Sequence, residues 1–280
     1  SLSVARCMEG IVRKIWKHDL STDICFLYTT ADMQFQTNLQ GRHWLSARVS
    51  ERIADYYGIP SVSMDFAVAR LAKDDKLILK GDKDKDYGGR IVFTNDAVHP
   101  TSEGHLVYTQ TIVDAFDAMA GQEMEPRTGL LQPQGADNYE YSKMYNITEC
   151  SLEGDWQRLG KGNRIYDLLG HRIPVLILGK TAREQVTVRF RGTRIGLLDV
   201  VGAGTGKLTV RIDGRAPVTV RRFDVHCTYY RNHYFWLPEL GEGEHTVTIT
   251  VDPEPLDKES ILPKQLSDEV RRDLPEMNIY

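Results

Sequence analysis

A carboxylate and an imidazole lie three residues apart in the segment 96–100, which reads Asp-Ala-Val-His-Pro. The segment follows an apolar run, and a Thr/Ser pair after it predicts a helix that ends near Met119. This spacing lets one turn present both side chains to the same cavity. Asp96 would accept the proton of one imidazole nitrogen of His99, and the other nitrogen would serve as a general base. The two residues are therefore predicted to form the base half of a nucleophile–base–acid triad. The alternative is a structural loop in which the carboxylate of Asp96 caps a turn.

The Asp-x-x-His-Pro motif, with a strand pattern before it and a helix pattern after it, resembles the last block of the SGNH (GDSL-type) hydrolases. The helix pattern at 8–17 and the strand pattern at 22–30 extend this resemblance over about residues 1–120. It implies a partial flavodoxin-like, three-layer α/β domain and an ester hydrolase without cofactor or metal. In such an enzyme a serine attacks the ester carbonyl, His99 takes its proton and Asp96 orients His99.

Two motifs of that family are absent from the sequence. SGNH hydrolases carry the serine in a Gly-Asp-Ser block and oxyanion donors in the two following blocks, but this sequence has neither Gly-Asp-Ser nor Gly-x-Asn-Asp. The chain is therefore expected to be N-terminally truncated relative to the family and inactive by itself. A half-domain would expose a sheet edge, which a homodimer or a retained N-terminal fragment would cover.

The pattern of apolar residues divides the chain into parts. Residues 1–122 alternate helical and strand patterns, which favours a parallel sheet. Apolar residues at helical spacing predict a helix over 44–57, which Gly58 ends. A linker rich in Gly, Pro and Gln is predicted at 123–139. Residues 140–253 alternate apolar and polar positions, which predicts an all-β sandwich. The tail at 254–280 has a short helical pattern, which is expected to dock on the α/β domain.

The predicted sandwich resembles the jelly-roll or galactose-binding-like domains that accompany bacterial SGNH carbohydrate esterases. This resemblance implies an acylated carbohydrate, above all an acetylated polysaccharide, as the substrate, or more widely a small ester. It also suggests a periplasmic or secreted location. The alternative is a non-catalytic carbohydrate-binding or adhesion protein in which the β-sandwich carries the function.

The segment 226–236 is rich in aromatic residues. Tyr234 and Trp236 could stack on a sugar ring, and Arg231 or His233 could hydrogen-bond its hydroxyls. Packing in the core or at a strand edge would explain the same aromatic residues. A zinc site from the histidines and the cysteine of this segment is not expected, because no four-ligand set is present.

Other suggestive residues have structural explanations. Ser102 lies near His99, but a Thr or Ser before Glu and an apolar run predicts that it caps a helix, and His105 would lie inside that helix. The acidic loop at 82–88 lacks the glycine and glutamate of a calcium loop. The glycine-rich segment 202–207 has the wrong spacing for a phosphate loop and is interpreted as a hairpin turn.

The composition fits a soluble globular protein. The net charge of -4 provides no general attraction to nucleic acid or to anionic membranes. No apolar run is long enough for a membrane span. The four cysteines are scattered without a Cys-x-x-Cys motif, which predicts buried free thiols.

Overall fold

The computed structural model describes residues 2–82, 84–122 and 126–262. The chain forms two compact units, which divide between Lys143 and Met144.

The first unit combines helices and short strands. Its helices are α1 (Leu2–His18), α2 (Asp32–Leu39), α3 (Leu45–Tyr57), α4 (Met64–Lys73) and α5 (Ser102–Met119). Its strands are β1 (Phe26–Tyr28), β2 (Ser61–Ser63), β3 (Leu77–Lys80) and β4 (Ile91–Thr94). None of the helices in the described part of the chain has both the length and the apolar character needed to cross a membrane.

The strands of the first unit pair in parallel, as the alternation of helices and strands predicts. They form two separate pairs, β1 with β2 and β3 with β4. Because the strands are parallel, the carboxyl ends of β1 and β2 lie at the same edge of their pair. The loops that follow parallel strands at this edge are where α/β proteins commonly place functional side chains.

Helix α3 shows how local sequence and packing act together in this unit. Ile53, Ala54 and Tyr57 recur at helical spacing and are buried in one cluster with Val12 of α1. Gly58 ends the helix with φ +63°, a left-handed conformation that glycine adopts without the penalty of a Cβ atom. The predicted helix at 44–57 is thus confirmed to within one residue.

The described part of the predicted linker at 123–139 belongs to the first unit and packs against α1. Glu9, which is 2% exposed, accepts hydrogen bonds from the backbone N–H groups of Gln134 and Gly135. The hydroxyl of Tyr57 donates to the same carboxylate at 2.8 Å. These buried polar contacts fix the segment on the helix, so it is not a free connection between the units.

The second unit consists mainly of strands. They are β5 (Ser151–Glu153), β6 (Gln157–Arg158), β7 (Ile177–Leu178), β8 (Gln185–Gly192), β9 (Gly196–Val201), β10 (Lys207–Ile212), β11 (Val218–Arg221), β12 (Arg231–Trp236) and β13 (Gly243–Asp252). A 3-10 turn at Ile147–Glu149 and the short helix α6 (Arg164–Leu169) accompany them.

Five of these strands form an antiparallel sheet in the order β11-β10-β13-β8-β5, while β9 pairs with β12 and β6 with β7. The alternating segments of the sequence lie within β8, β10, β11 and β13, and their inward side chains form the core of the unit. The hairpin prediction at 202–207 is wrong, because this connection leads from β9 to β10 and those strands belong to different sheets.

The tail predicted at 254–280 is described only as far as Leu262. Leu262 is buried in a cluster with Val201, Phe223 and Cys227 of the second unit. The helical pattern after it lies outside the described residues.

Candidate active site

Asp96 and His99 contact each other directly in the loop between β4 and α5. Nδ1 of His99 lies 2.7 Å from Oδ2 of Asp96. The other carboxylate oxygen accepts hydrogen bonds from the backbone N–H groups of His99 at 2.7 Å and Val98 at 2.9 Å. The hydroxyl of Thr94 donates to that oxygen at 3.1 Å. The pair therefore has the geometry expected for a carboxylate that orients a histidine.

The backbone on either side of the pair holds this loop in place. Ala97 adopts φ +74°, which turns the chain so that the N–H groups after it point back at Asp96. Thr101 caps α5 by accepting a hydrogen bond from Gly104 N at 3.0 Å, and its own N–H donates to Phe93 O at 2.8 Å. The prediction that Ser102 caps the helix is wrong by one residue, because Ser102 is its first residue.

Hydrogen bonding keeps Asp96 ionised, and exposure leaves the ring of His99 accessible. The hydrogen bonds from the His99 ring, the His99 N–H and the Val98 N–H hold the pKa of the Asp96 carboxyl well below its usual range. Asp96 is therefore a carboxylate and places the imidazole proton on Nδ1 of His99. The His99 side chain is 82% exposed. Its Nε2 atom is thus accessible for proton transfer to or from a bound molecule.

A nucleophile for His99 is not found among the described residues. Within 2–82, 84–122 and 126–262, no side-chain hydroxyl forms a hydrogen bond with its ring. Ser102 and His105 are exposed positions on α5, and His105 lies inside the helix as expected. Across the same three described stretches, no three His, Cys, Asp or Glu side chains are grouped to hold a metal ion.

A second histidine–carboxylate pair, which no sequence motif predicts, lies in the same unit. Nδ1 of His43 lies 2.6 Å from Oδ2 of Asp65, and Nε2 of His43 lies 3.5 Å from Oγ of Ser63. His43 lies between α2 and α3, and Asp65 is in the first turn of α4. The two residues are 22 positions apart in the sequence and form no recognisable motif, so only the tertiary structure brings the pair together.

The four residues predicted to bind carbohydrate do not share one face of β12. Tyr234 and Trp236 are exposed, and Leu198 of β9 lies opposite Tyr234. Arg231 and His233 alternate with them and point to the other face.

Arg231 and His233 are occupied by internal contacts. Arg231 pairs with Asp224, while Nδ1 of His233 lies 3.0 Å from Nη2 of Arg222. Arg222 also forms a two-point ion pair with Asp199, at 2.7 and 2.6 Å. Of the four residues predicted to bind carbohydrate, only the aromatic residues Tyr234 and Trp236 are thus exposed.

The cysteines agree with the prediction of buried thiols only in part. All four are free, but Cys227 is buried, Cys25 and Cys150 are partly buried, and Cys7 is exposed.

No protein-family model matches the sequence, and no curated protein matches it. Two solved structures of a two-domain esterase (CEX) active on acetylated mannans resemble the chain. The structure with mannopentaose has a TM-score of 0.68 and 16% identity over 92% of this chain and 64% of that one. The second has a TM-score of 0.69 and 15% identity over 90% of this chain and 64% of that one. The chain thus shares its fold with a two-domain esterase and spans about two thirds of that protein's length.

Proposed function

We propose that this chain supplies the base and the carboxylate of an SGNH-type serine esterase that removes acyl groups, above all acetyl groups, from carbohydrates. The observation that carries the proposal is the 2.7 Å contact between Asp96 and His99, which leaves Nε2 of an exposed imidazole for proton transfer. The Asp-x-x-His-Pro motif supports it, and so does the fold shared with an esterase active on acetylated mannans.

In the proposed reaction, a serine hydroxyl attacks the ester carbonyl while Nε2 of His99 takes its proton. The Asp96 carboxylate stabilises the imidazolium, which then protonates the sugar hydroxyl as it leaves. Water then takes the place of the alcohol: it attacks the acyl-serine while His99 takes its proton, and the imidazolium returns that proton to the serine as the acid is released. We place the serine and the oxyanion donors outside these 280 residues, because the sequence lacks both motifs that carry them. A periplasmic or secreted location would suit such an enzyme and belongs to the same proposal.

The test compares this chain with a form extended by whatever residues its gene encodes before Ser1. Acetate release from acetylated mannan and hydrolysis of p-nitrophenyl acetate are measured for both. We expect the extended form alone to deacetylate mannan, and His99→Ala to lower its kcat by about a thousandfold or more. His105→Ala is the matched control, since it removes an exposed imidazole nearby. Deacetylation that is unchanged by His99→Ala would remove the basis for the proposal.

A second candidate function is carbohydrate binding by the second unit. The rings of Tyr234 and Trp236 are exposed on one face of β12, with their centroids 6.4 Å apart. Such paired aromatic surfaces are suited to stacking against the apolar faces of sugar rings. Calorimetry with manno-oligosaccharides tests this function. Trp236→Ala should weaken binding about tenfold, or about 1.4 kcal/mol. Tyr145→Ala, which removes another exposed ring of this unit, should leave binding unchanged.

A further inference from the structure

Ser63, His43 and Asp65 form a continuous chain of hydrogen bonds at the carboxyl end of β2. The two nitrogens of the His43 ring contact a carboxylate at 2.6 Å and a serine hydroxyl at 3.5 Å. This is the connectivity by which a histidine activates a serine. The contact between Oγ and Nε2 is long for a hydrogen bond, and such contacts commonly shorten when a substrate binds.

Hydrogen bonds from neighbouring groups hold the carboxylate of Asp65 in place. Asp65 is fully buried, and it accepts hydrogen bonds from Nδ2 of Asn38 and from the backbone N–H of Phe66, both at 2.9 Å. Thr30 fixes the amide of Asn38 by donating to its oxygen at 2.7 Å. Burial raises the pKa of Asp65, while the hydrogen bonds from His43 and Phe66 act in the opposite direction. A buried carboxylate with several donors is the partner that a general-base histidine requires.

The imidazole of His43 is oriented by packing as well as by hydrogen bonds. Its ring stacks on Phe66 with centroids 4.1 Å apart and an interplanar angle of 17°. The ring of Tyr28 lies 5.0 Å away on centroids. The His43 side chain is 13% exposed. The ring is therefore preorganised toward Ser63.

A helix cap does not explain the position of the Ser63 hydroxyl. Ser63 is the N-cap residue of α4, but its side chain forms no capping hydrogen bond. A serine at an N-cap ordinarily accepts a hydrogen bond from an N–H group of the first turn. Here the hydroxyl contacts His43 instead. Ser63 thus stands at the N-terminal, positive end of the ten-residue helix α4, whose first turn also carries the Asp65 carboxylate.

A cavity of about 480 Å³ that Ser63 helps to line extends along one face of α4. Ser63 and Phe66 line one part of it, and Arg70 and Lys73 line another. The volume suits a small organic ligand. Asp74 also lines the cavity, so the charged side chains leave a net positive charge of one. The cavity therefore favours a ligand with a negatively charged group.

We propose that Ser63, His43 and Asp65 form a second ester-hydrolysing site, which takes small carboxylic esters that carry a negative charge. Oγ of Ser63 attacks the carbonyl carbon while Nε2 of His43 takes the hydroxyl proton. The bond to the alcohol oxygen breaks, and the imidazolium returns the proton to the departing alcohol. Water then attacks the acyl carbon while His43 accepts a proton from it. The bond between the acyl carbon and Oγ breaks, the imidazolium returns the proton to Oγ, and the carboxylic acid is released. The site uses neither Asp96 nor His99.

The first experiment treats the 280-residue chain with a fluorophosphonate, which phosphonylates activated serines, and locates the label by mass spectrometry. We expect one label on Ser63, none in Ser63→Ala and at least tenfold slower labelling in Asp65→Asn. Ser102→Ala and His99→Ala should be labelled at the unaltered rate, which separates this site from the proposed esterase. Circular dichroism establishes that each variant is folded. A folded chain without label at Ser63, or equal labelling rates in Asp65→Asn, would overturn the proposal.

The second experiment tests the charge of the substrate. Hydrolysis of 4-acetoxybenzoate, an anionic ester, is compared with that of neutral phenyl acetate. Replacement of the exposed Arg70 and Lys73 by alanine should lower kcat/KM about tenfold for the anionic ester and leave it nearly unchanged for the neutral one. Equal effects on both esters would overturn the assigned substrate class. Hydrolysis that persists in Ser63→Ala would overturn the site itself.

Discussion

The backbone N–H of Asp32 donates a hydrogen bond to the carbonyl oxygen of Ala97 at 2.9 Å. Asp32 is the first residue of α2, so this bond attaches the loop that carries His99 to the helix that follows β1. The same loop is fixed from its other side, where the N–H of Thr101 donates to Phe93 of β4. The positive φ of Ala97 is maintained by these attachments. The Asp96–His99 pair is therefore positioned by the scaffold of the first unit even though its side chains are exposed.

The lowered pKa of Asp96 leads to a test by titration. We expect its carboxyl group to stay ionised at a pH where most aspartates are protonated, because His99 and two backbone N–H groups donate to it. Its folded-state pKa lies below the unfolded one, so its contribution to stability is complete above the unfolded pKa and is lost as the pH falls through the folded pKa.

Carbon-13 NMR of the carboxyl groups measures this titration. In His99→Ala the pKa of Asp96 should rise toward its ordinary value, because the hydrogen bond with the largest effect is removed. In the control His105→Ala the pKa of Asp96 should be unchanged. An Asp96 that titrates with the other aspartates in the unaltered protein would contradict the hydrogen bonds that its carboxylate accepts.

The sequence predicted those features that depend on neighbours along the chain. The helix that ends at Gly58, the pairing of Asp96 with His99 and the alternating strands β8, β10 and β13 all have short-range signals, namely a glycine stop, an i,i+3 spacing and a period of two.

Features that depend on tertiary contacts could not be predicted in this way. The buried partners of Glu9 come from residues 134 and 135, far along the chain, and a Gly/Pro-rich composition does not distinguish a packed segment from a linker. Likewise, the connection at 202–206 contains hairpin-like residues, but the pairing of β9 with β12 makes it a link between sheets. The contacts of His43 with Ser63 and Asp65 arise in the same manner, because folding brings the segment before α3 against the start of α4.

Gly104 lies where α5 crosses the backbone of β4. A Cβ atom at this position would lie 2.5 Å from the carbonyl oxygen of Phe93 and 3.1 Å from Cβ of Pro100. Alanine is otherwise the better helix former by about 1 kcal/mol. We nevertheless expect Gly104→Ala to lower the free energy of unfolding by about 1–3 kcal/mol, because the helix must move away from the strand.

Urea denaturation measures this loss. Gly129→Ala is the matched control, because no atom lies within 4 Å of a Cβ placed there, and it should change stability by less than about 0.5 kcal/mol. A Gly104→Ala variant as stable as this control would contradict the close packing of α5 on β4.

The buried ion pair of Arg13 and Glu140 holds the segment around residue 140 on α1. Nε of Arg13 lies 2.9 Å from Oε2 of Glu140, and the two side chains are 8% and 6% exposed. Glu140→Ala leaves the guanidinium buried without its carboxylate, so we expect a loss of about 3 kcal/mol in the free energy of unfolding. Asp75→Asn is the control, because the Arg90–Asp75 pair is largely exposed and should contribute less than about 1 kcal/mol. Equal effects of the two substitutions would contradict the burial of the Arg13 pair.

His245 is expected to make the stability of the second unit depend on pH. Nδ1 of its ring lies 2.8 Å from Oδ2 of Asp213, and Nε2 lies 2.8 Å from the carbonyl oxygen of Gly241. Both ring nitrogens thus face acceptors, which favours the protonated ring. The hydrogen bond to Asp213, and then that to Gly241, raises the pKa of His245 above its ordinary value.

Because the folded-state pKa of His245 is the higher one, its contribution to stability is complete below the unfolded pKa and is lost as the pH rises through the folded pKa. Proton NMR of the imidazole should therefore report a raised pKa, and urea denaturation should show the second unit becoming less stable as the pH rises through it. Asp213→Asn should lower the pKa and flatten this dependence, since the amide carries no charge to stabilise the imidazolium. His171→Gln is the control, as it replaces another histidine of the same unit. A pKa of His245 that is the same in Asp213→Asn and in the unaltered protein would contradict the role given to Asp213.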